Sequence, residues 1–183
     1  TGNEDYGGVF LVGTTNHIAP PSFTMHGGTI SDNTAGASDG GGGGVYVGEK
    51  CSFTMDGGTI TGNLANGVGG GTTGGDRCGG GGVYVGIGGT FTMDGGYIEQ
   101  NTAEVSINND GGGGVMVDGG SFHLWDGTIA GNAAVNRGEY SCGGGVYLSA
   151  GHFTMTDGTV SGNRADAGGG VMVFGNASLG ETV

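Results

Sequence analysis

The chain has 183 residues, of which 51 are glycine and only 11% are charged. Its 17 acidic residues against 4 Lys plus Arg give a formal net charge of -13, which repels phosphate backbones and anionic membrane surfaces and argues against nucleic acid as a partner. The collagen G-X-Y period is absent and apolar residues recur at fixed places, so a folded repeat is favoured over a triple helix or a disordered linker.

Residues 7–12, GGVFLV, open the pattern. SFTMHGGTISDN then begins at Ser22 and is followed, after a variable gap, by GGGGVYV ending at Val47. The pair recurs as SFTMDGGTITGN from Ser52 with GGGGVYV ending at Val85, and as TFTMDGGYIEQN from Thr90 with GGGGVMV ending at Val117. The last two copies are SFHLWDGTIAGN from Ser121 with GGGVYL ending at Leu148, and HFTMTDGTVSGN from His152 with GGGVMV ending at Val173. Phe23, Phe53, Phe91, Phe122 and Phe153 are 30, 38, 31 and 31 residues apart, a period in the range of stacked repeats.

Each period holds three short apolar segments bounded by glycine: FTM, GTI and VYV. Their period-two alternation predicts strands and not helices. Strands this short bury little alone, so each period is expected to form one coil, with coils stacked in parallel about 4.8 Å apart. The interior then consists of columns of like residues: the five phenylalanines; Met25, Met55, Met93, Leu124 and Met155; Ile30, Ile60, Ile98, Ile129 and Val160; and the VYV valines.

Asn33, Asn63, Asn101, Asn132 and Asn163 stand three residues past the column Ile or Val in every copy, which predicts a structural asparagine ladder at a turn. All length variation falls at 34–41, 64–78, 102–110, 133–142 and 164–167, so the variable loops are expected along one edge. Phe10, Tyr46, Tyr84, Met116, Tyr147 and Met172 are predicted to form an outward stripe on the VYV sheet, a candidate binding surface. Cover by a loop or partner is favoured there over stacking on sugar rings.

With FTM-x-GG-T-I-x-x-N followed by GGGVYV, nearly the whole chain resembles the right-handed β-helix repeats of bacterial and archaeal adhesin-like proteins, in the pectin-lyase-like fold class. The GG-x-I and downstream Asn also resemble the repeats of chlamydial polymorphic membrane proteins, at a different spacing. The resemblance implies a secreted or cell-surface protein without enzymatic activity. The expected architecture is therefore all-β: one domain over residues 1–183, a right-handed single-stranded parallel β-helix of about five to six coils with three short strands per coil. Neither end shows a polar cap, so a segment of a longer solenoid or an end-to-end stacking subunit is expected, with other copies or flanking coils as partners and host or matrix glycans as further candidates.

Enzymes of this fold class place an acidic cluster and a basic residue together. Here Asp56, Asp94, Asp126 and Asp157 repeat at strand corners instead of converging, and Lys50, Arg77, Arg137 and Arg164 are not evidently paired with them, so no catalytic residue is assigned. His17, His26, His123 and His152 are scattered, although His123 and His152 fall on successive coils; no metal site is assigned, and Ca²⁺ at the Asp corners lacks the GGxGxDxUx pattern. Cys78 and Cys142 each precede a glycine run two coils apart, about 9–10 Å by coil spacing. A bridge at a Cα reach of about 4.4–6.8 Å then requires leaning loops, leaving Cys51 free or intermolecular.

Ser22, Thr24, Ser52, Thr54, Thr90 and Thr92, with Thr29, Ser31, Thr59 and Thr61, form outward hydroxyl rows of the kind an ice-binding face needs, interrupted at Tyr97, Glu99, His123 and His152. No run of 18 apolar residues could span a bilayer, and residues 1–20 lack the features of a signal peptide, so targeting is expected to lie elsewhere. A structural or adhesive surface module is thus the leading expectation. An ice-binding protein and a polysaccharide lyase or hydrolase are the alternatives.

Overall fold

The structure, a computed structural model, describes residues 7–13, 19–36, 41–66, 77–105, 110–136, 143–174 and 178–180. Every regular element among them is a β-strand, and every strand pairing is parallel. One 13-stranded sheet dominates, beside a four-stranded and a two-stranded sheet.

Pairing joins like residues of successive repeats. Ser22–Met25 lies against Ser52–Met55 with Phe23 opposite Phe53, and Thr90–Glu99 continues the ladder with Phe91 opposite both Phe53 and Phe122. Ile30, Ile60, Ile98, Ile129 and Val160 form a second ladder, and Val45, Val83, Val115, Val146 and Val171 a third. In the later repeats the pairing continues through the corners, where glycines such as Gly119 and Gly127 turn the backbone with positive φ, so Val115–Ala130 runs as one bent strand across all three faces. The large sheet thereby wraps around one apolar interior of Phe, Met, Ile and Val columns, in which Phe53, Phe91 and Phe122 are wholly buried and stack nearly parallel at 4.7–4.8 Å.

A fourth ladder corrects the expectation of three strands per period. Thr34–Ala35, Leu64–Ala65, Thr102–Val105 and Ala133–Asn136 pair in register immediately after the asparagines, where loops were expected to begin. Ala35, Ala65, Ala103 and Ala134 point inward and are buried. The glycine run of each repeat passes close to the backbone of this ladder. A Cβ on Gly113 would come within 2.5 Å of the Ala133 carbonyl carbon, and one on Gly114 within 3.0 Å of Asn132 Nδ2. Consecutive glycines thus fit between the asparagine ladder and the fourth ladder, where no side chain has room.

This fit gives a direct expectation. Gly113→Ala should lower stability by about 2–3 kcal/mol, because a backbone neighbour has to move. Gly27→Ala, with nothing within 4 Å of its added methyl group and no positive φ, should be neutral or slightly stabilising. Equal urea midpoints for the two variants would refute the packing role of the glycine run.

Candidate functional site

The residues expected to form an exposed outward stripe lie together along the VYV ladder and are not an open surface. Phe10, Tyr46, Tyr84, Met116, Tyr147 and Met172 are successive register partners. Tyr84, Met116 and Tyr147 are buried in a second apolar cluster, Tyr46 and Met172 are half-buried against it, and only Phe10 is exposed. The Tyr46 and Tyr84 rings stack at 5.1 Å. Backbone supplies much of the cover: a Cβ on Gly143 would reach Tyr147 Cβ at 2.5 Å, one on Gly168 would reach Met172 Cβ at 2.5 Å, and Gly48 lies against the Tyr46 ring edge. The glycine run folds back over the strand it precedes, which turns a sticky stripe into a second core.

One carboxylate enters this cluster. Asp118 is buried; its Oδ2 accepts a hydrogen bond from the Tyr84 hydroxyl at 2.9 Å and its Oδ1 one from Ser149 Oγ at 3.0 Å. Hydroxyl donors replace the water a buried carboxylate loses.

The asparagines hold the repeats together on the opposite side of the glycine run. Each Oδ1 from Asn63 to Asn163 accepts two bonds from the preceding asparagine: its backbone N–H at 2.9–3.1 Å and its Nδ2 at 2.9–3.0 Å. Each Nδ2 from Asn63 to Asn163 also donates to a column carbonyl one repeat back, those of Ile30, Ile60, Ile98 and Ile129. Asn63, Asn101 and Asn132 are buried, so these amides satisfy polar backbone that water cannot reach.

The acidic corners do different work from one another. Asp126 Oδ1 accepts the Gly127 N–H at 2.6 Å and Asp157 Oδ1 the Gly158 N–H at 2.8 Å, whereas Asp56 Oδ2 meets His26 Nδ1 at 2.6 Å on the exposed surface. Asp94 lies opposite Asp126. His123 faces Thr154, with Nδ1 2.7 Å from its Oγ1, and does not face His152, which is opposite Ser121. Among the described residues, no group of three His, Cys, Asp or Glu side chains could hold a metal ion.

Cys51 is buried and unbridged, and its thiol donates to the Glu49 carbonyl at 3.5 Å. The Cys78 side chain and Cys142 lie outside the described residues, as do the side chain of Arg77, all of Arg137 and His17. Burial pushes the Cys51 thiol up, against smaller opposing contributions from backbone hydrogen bonds of Gly48 and Gly13. The thiolate is the reactive form, so alkylation of Cys51 at pH 8 should be about tenfold or more slower in the folded chain than in urea. Peptide mapping of iodoacetamide adducts separates Cys51 from the other two cysteines and checks this.

Comparison with family models, with curated proteins and with solved structures finds no match to this chain. Its functional reading therefore stands on its own geometry. Trp125, the single tryptophan, is 45% exposed at the corner after Leu124, and Tyr97 is 53% exposed on the preceding repeat. The signal was LWDG at 124–127 in place of the MDGG of the earlier copies at 55–58 and 93–96.

Proposed function

We propose that the chain is a right-handed parallel β-helix and serves as a stiff, secreted or surface-displayed structural and adhesive module, without enzymatic activity or a required cofactor. The observation that carries this reading is the pairing of like residues from repeat to repeat in the Phe, Ile and Val ladders, with a fourth ladder and an amide ladder beside them. Such an array resists bending and local opening because each repeat is hydrogen-bonded to its neighbours in several ladders at once. The acidic composition and scarcity of Lys and Arg favour persistence outside the cell, where trypsin-like proteases find few sites. Repeated corner carboxylates that bond to the adjacent glycine N–H or to histidine favour a structural over a catalytic role.

Electron microscopy with a glycan array on the same preparation tests the reading. Rods that bind a defined glycan identify an adhesin, and end-to-end filaments without glycan binding identify a structural fibre. Rounded particles would overturn the rod. The hydroxyl rows favour ice binding as a second reading, since Ser22, Ser52, Thr90 and Ser121 stack in register, as do Thr24, Thr54 and Thr92. Thermal hysteresis of the purified chain would establish it, and its absence would remove it.

A further inference from the structure

We propose that the corner at Trp125 is a carbohydrate-binding subsite in which a neutral pyranose ring stacks on the indole. The proposal deepens the adhesive reading and rests on it.

The carrying observation is a break in the register. Met93 faces Leu124 and the next pair is Asp94 with Asp126, so the pairing skips Trp125, although both strands place three residues in the corner and the register returns at Tyr97 opposite Thr128. Such a break re-aims the side chain it carries. The corresponding place in the other repeats holds His26, Asp56, Asp94 or Thr156, all polar, and the core position beside it is filled by Leu124. The indole therefore adds nothing to the core, and about half of it stays in water.

The neighbours match a sugar. The His123 ring lies 6.4 Å from the indole at 22°, held by its contact with Thr154, and forms a nearly parallel second plane. Tyr97, at a position that is Thr in the other four repeats, flanks the same corner on the adjoining strand. Aromatic faces supply stacking surface for the apolar side of a pyranose. Asp94 and Asp126 supply acceptors for ring hydroxyls, since the 2.6 Å bond from Gly127 occupies only Oδ1 of Asp126. With these carboxylates and a chain charge of -13, uronic acid polymers are repelled and a neutral sugar is favoured. The patch spans two repeats, about 10 Å along the stack, the length of one or two sugar rings. That is small beside the roughly 800 Å² per partner of a stable protein interface.

Because the chain has one tryptophan, its emission reports on this corner alone. The test titrates the whole chain with the neutral hexasaccharides of cellulose, starch, mannan, laminarin and chitin, with oligogalacturonate and with oligolysine. A saturable blue shift is expected with at least one neutral oligosaccharide and none with oligogalacturonate. By calorimetry, Trp125→Ala should weaken binding about tenfold or more, Trp125→Phe less, and Tyr84→Phe not at all. Circular dichroism shows that each variant is folded. An unchanged emission with every neutral sugar overturns the proposal, as does a response to oligolysine alone. Glycan binding that survives in folded Trp125→Ala also overturns it, while leaving the adhesive reading intact. Rounded particles in the electron microscope would instead remove the reading on which it rests.

Discussion

Asn101→Leu is expected to lower the unfolding free energy by about 3–5 kcal/mol, a large part of the stability of an ordinary domain. The substitution keeps the volume but deletes an amide that takes part in four hydrogen bonds. It accepts from Asn63 N–H and Nδ2, and donates to the Ile60 carbonyl and to Asn132 Oδ1. All are buried: the Asn63 N–H loses its side-chain acceptor, while Asn63 Nδ2, the Ile60 carbonyl and Asn132 Oδ1 each lose one bond, Nδ2 keeping Ile30 O and Oδ1 keeping the Asn101 N–H. A buried group left wholly unpaired costs about 1–3 kcal/mol. Asn33→Leu is the control. That side chain is half-buried, and its one bond to the next amide in the ladder, Nδ2 to Asn63 Oδ1, should be worth only about 1 kcal/mol. Urea denaturation of both variants decides the matter, and equal midpoint shifts would mean that the amide ladder does not carry the stack.

Phe91→Ala should cost about 3–5 kcal/mol. Phe91 is wholly buried, stacked on Phe53 at 4.8 Å and on Phe122 at 4.7 Å. Its neighbours are fixed by ladder hydrogen bonds above and below, so the cavity has little means to collapse. Phe23→Ala, at a half-buried ring with one stacked partner, Phe53 at 5.2 Å, should cost less than half as much. Thermal unfolding followed by far-ultraviolet dichroism provides the comparison. Similar losses at the two sites would contradict a core built from columns.

The three main ladders were legible because FTM, GTI and VYV alternate with period two and repeat with like residues. Identical side chains in register leave little choice of pairing. The fourth ladder was not legible, because Thr34–Ala35 and Leu64–Ala65 are too short to alternate and alanine has no preference for strands. It exists because the glycine run gives it a flat neighbour. The burial of Tyr84, Met116 and Tyr147 was hidden for a related reason: backbone glycine does much of the covering, and glycine carries no apolar signal in a sequence. Position alone identified the asparagines, since an amide at one fixed place in every repeat has only its copies to meet. Trp125 carries no periodic signal, because it falls at a corner position that holds His26, Asp56, Asp94 or Thr156 in the other repeats, next to the column residue Leu124.

The in-register parallel stacking of repeats is the claim on which everything else depends, and methyl NMR of the chain labelled at isoleucine tests it most directly. Ile30, Ile60, Ile98 and Ile129 are 30, 38 and 31 residues apart, so no local structure could bring their methyl groups together. The ladder places them in one column about 4.8 Å apart per step. Strong Overhauser effects from Ile30 to Ile60, Ile60 to Ile98 and Ile98 to Ile129, with none from Ile30 to Ile129, are the predicted result. A missing Ile60 to Ile98 contact, or a strong contact that skips a repeat, would contradict the stacking.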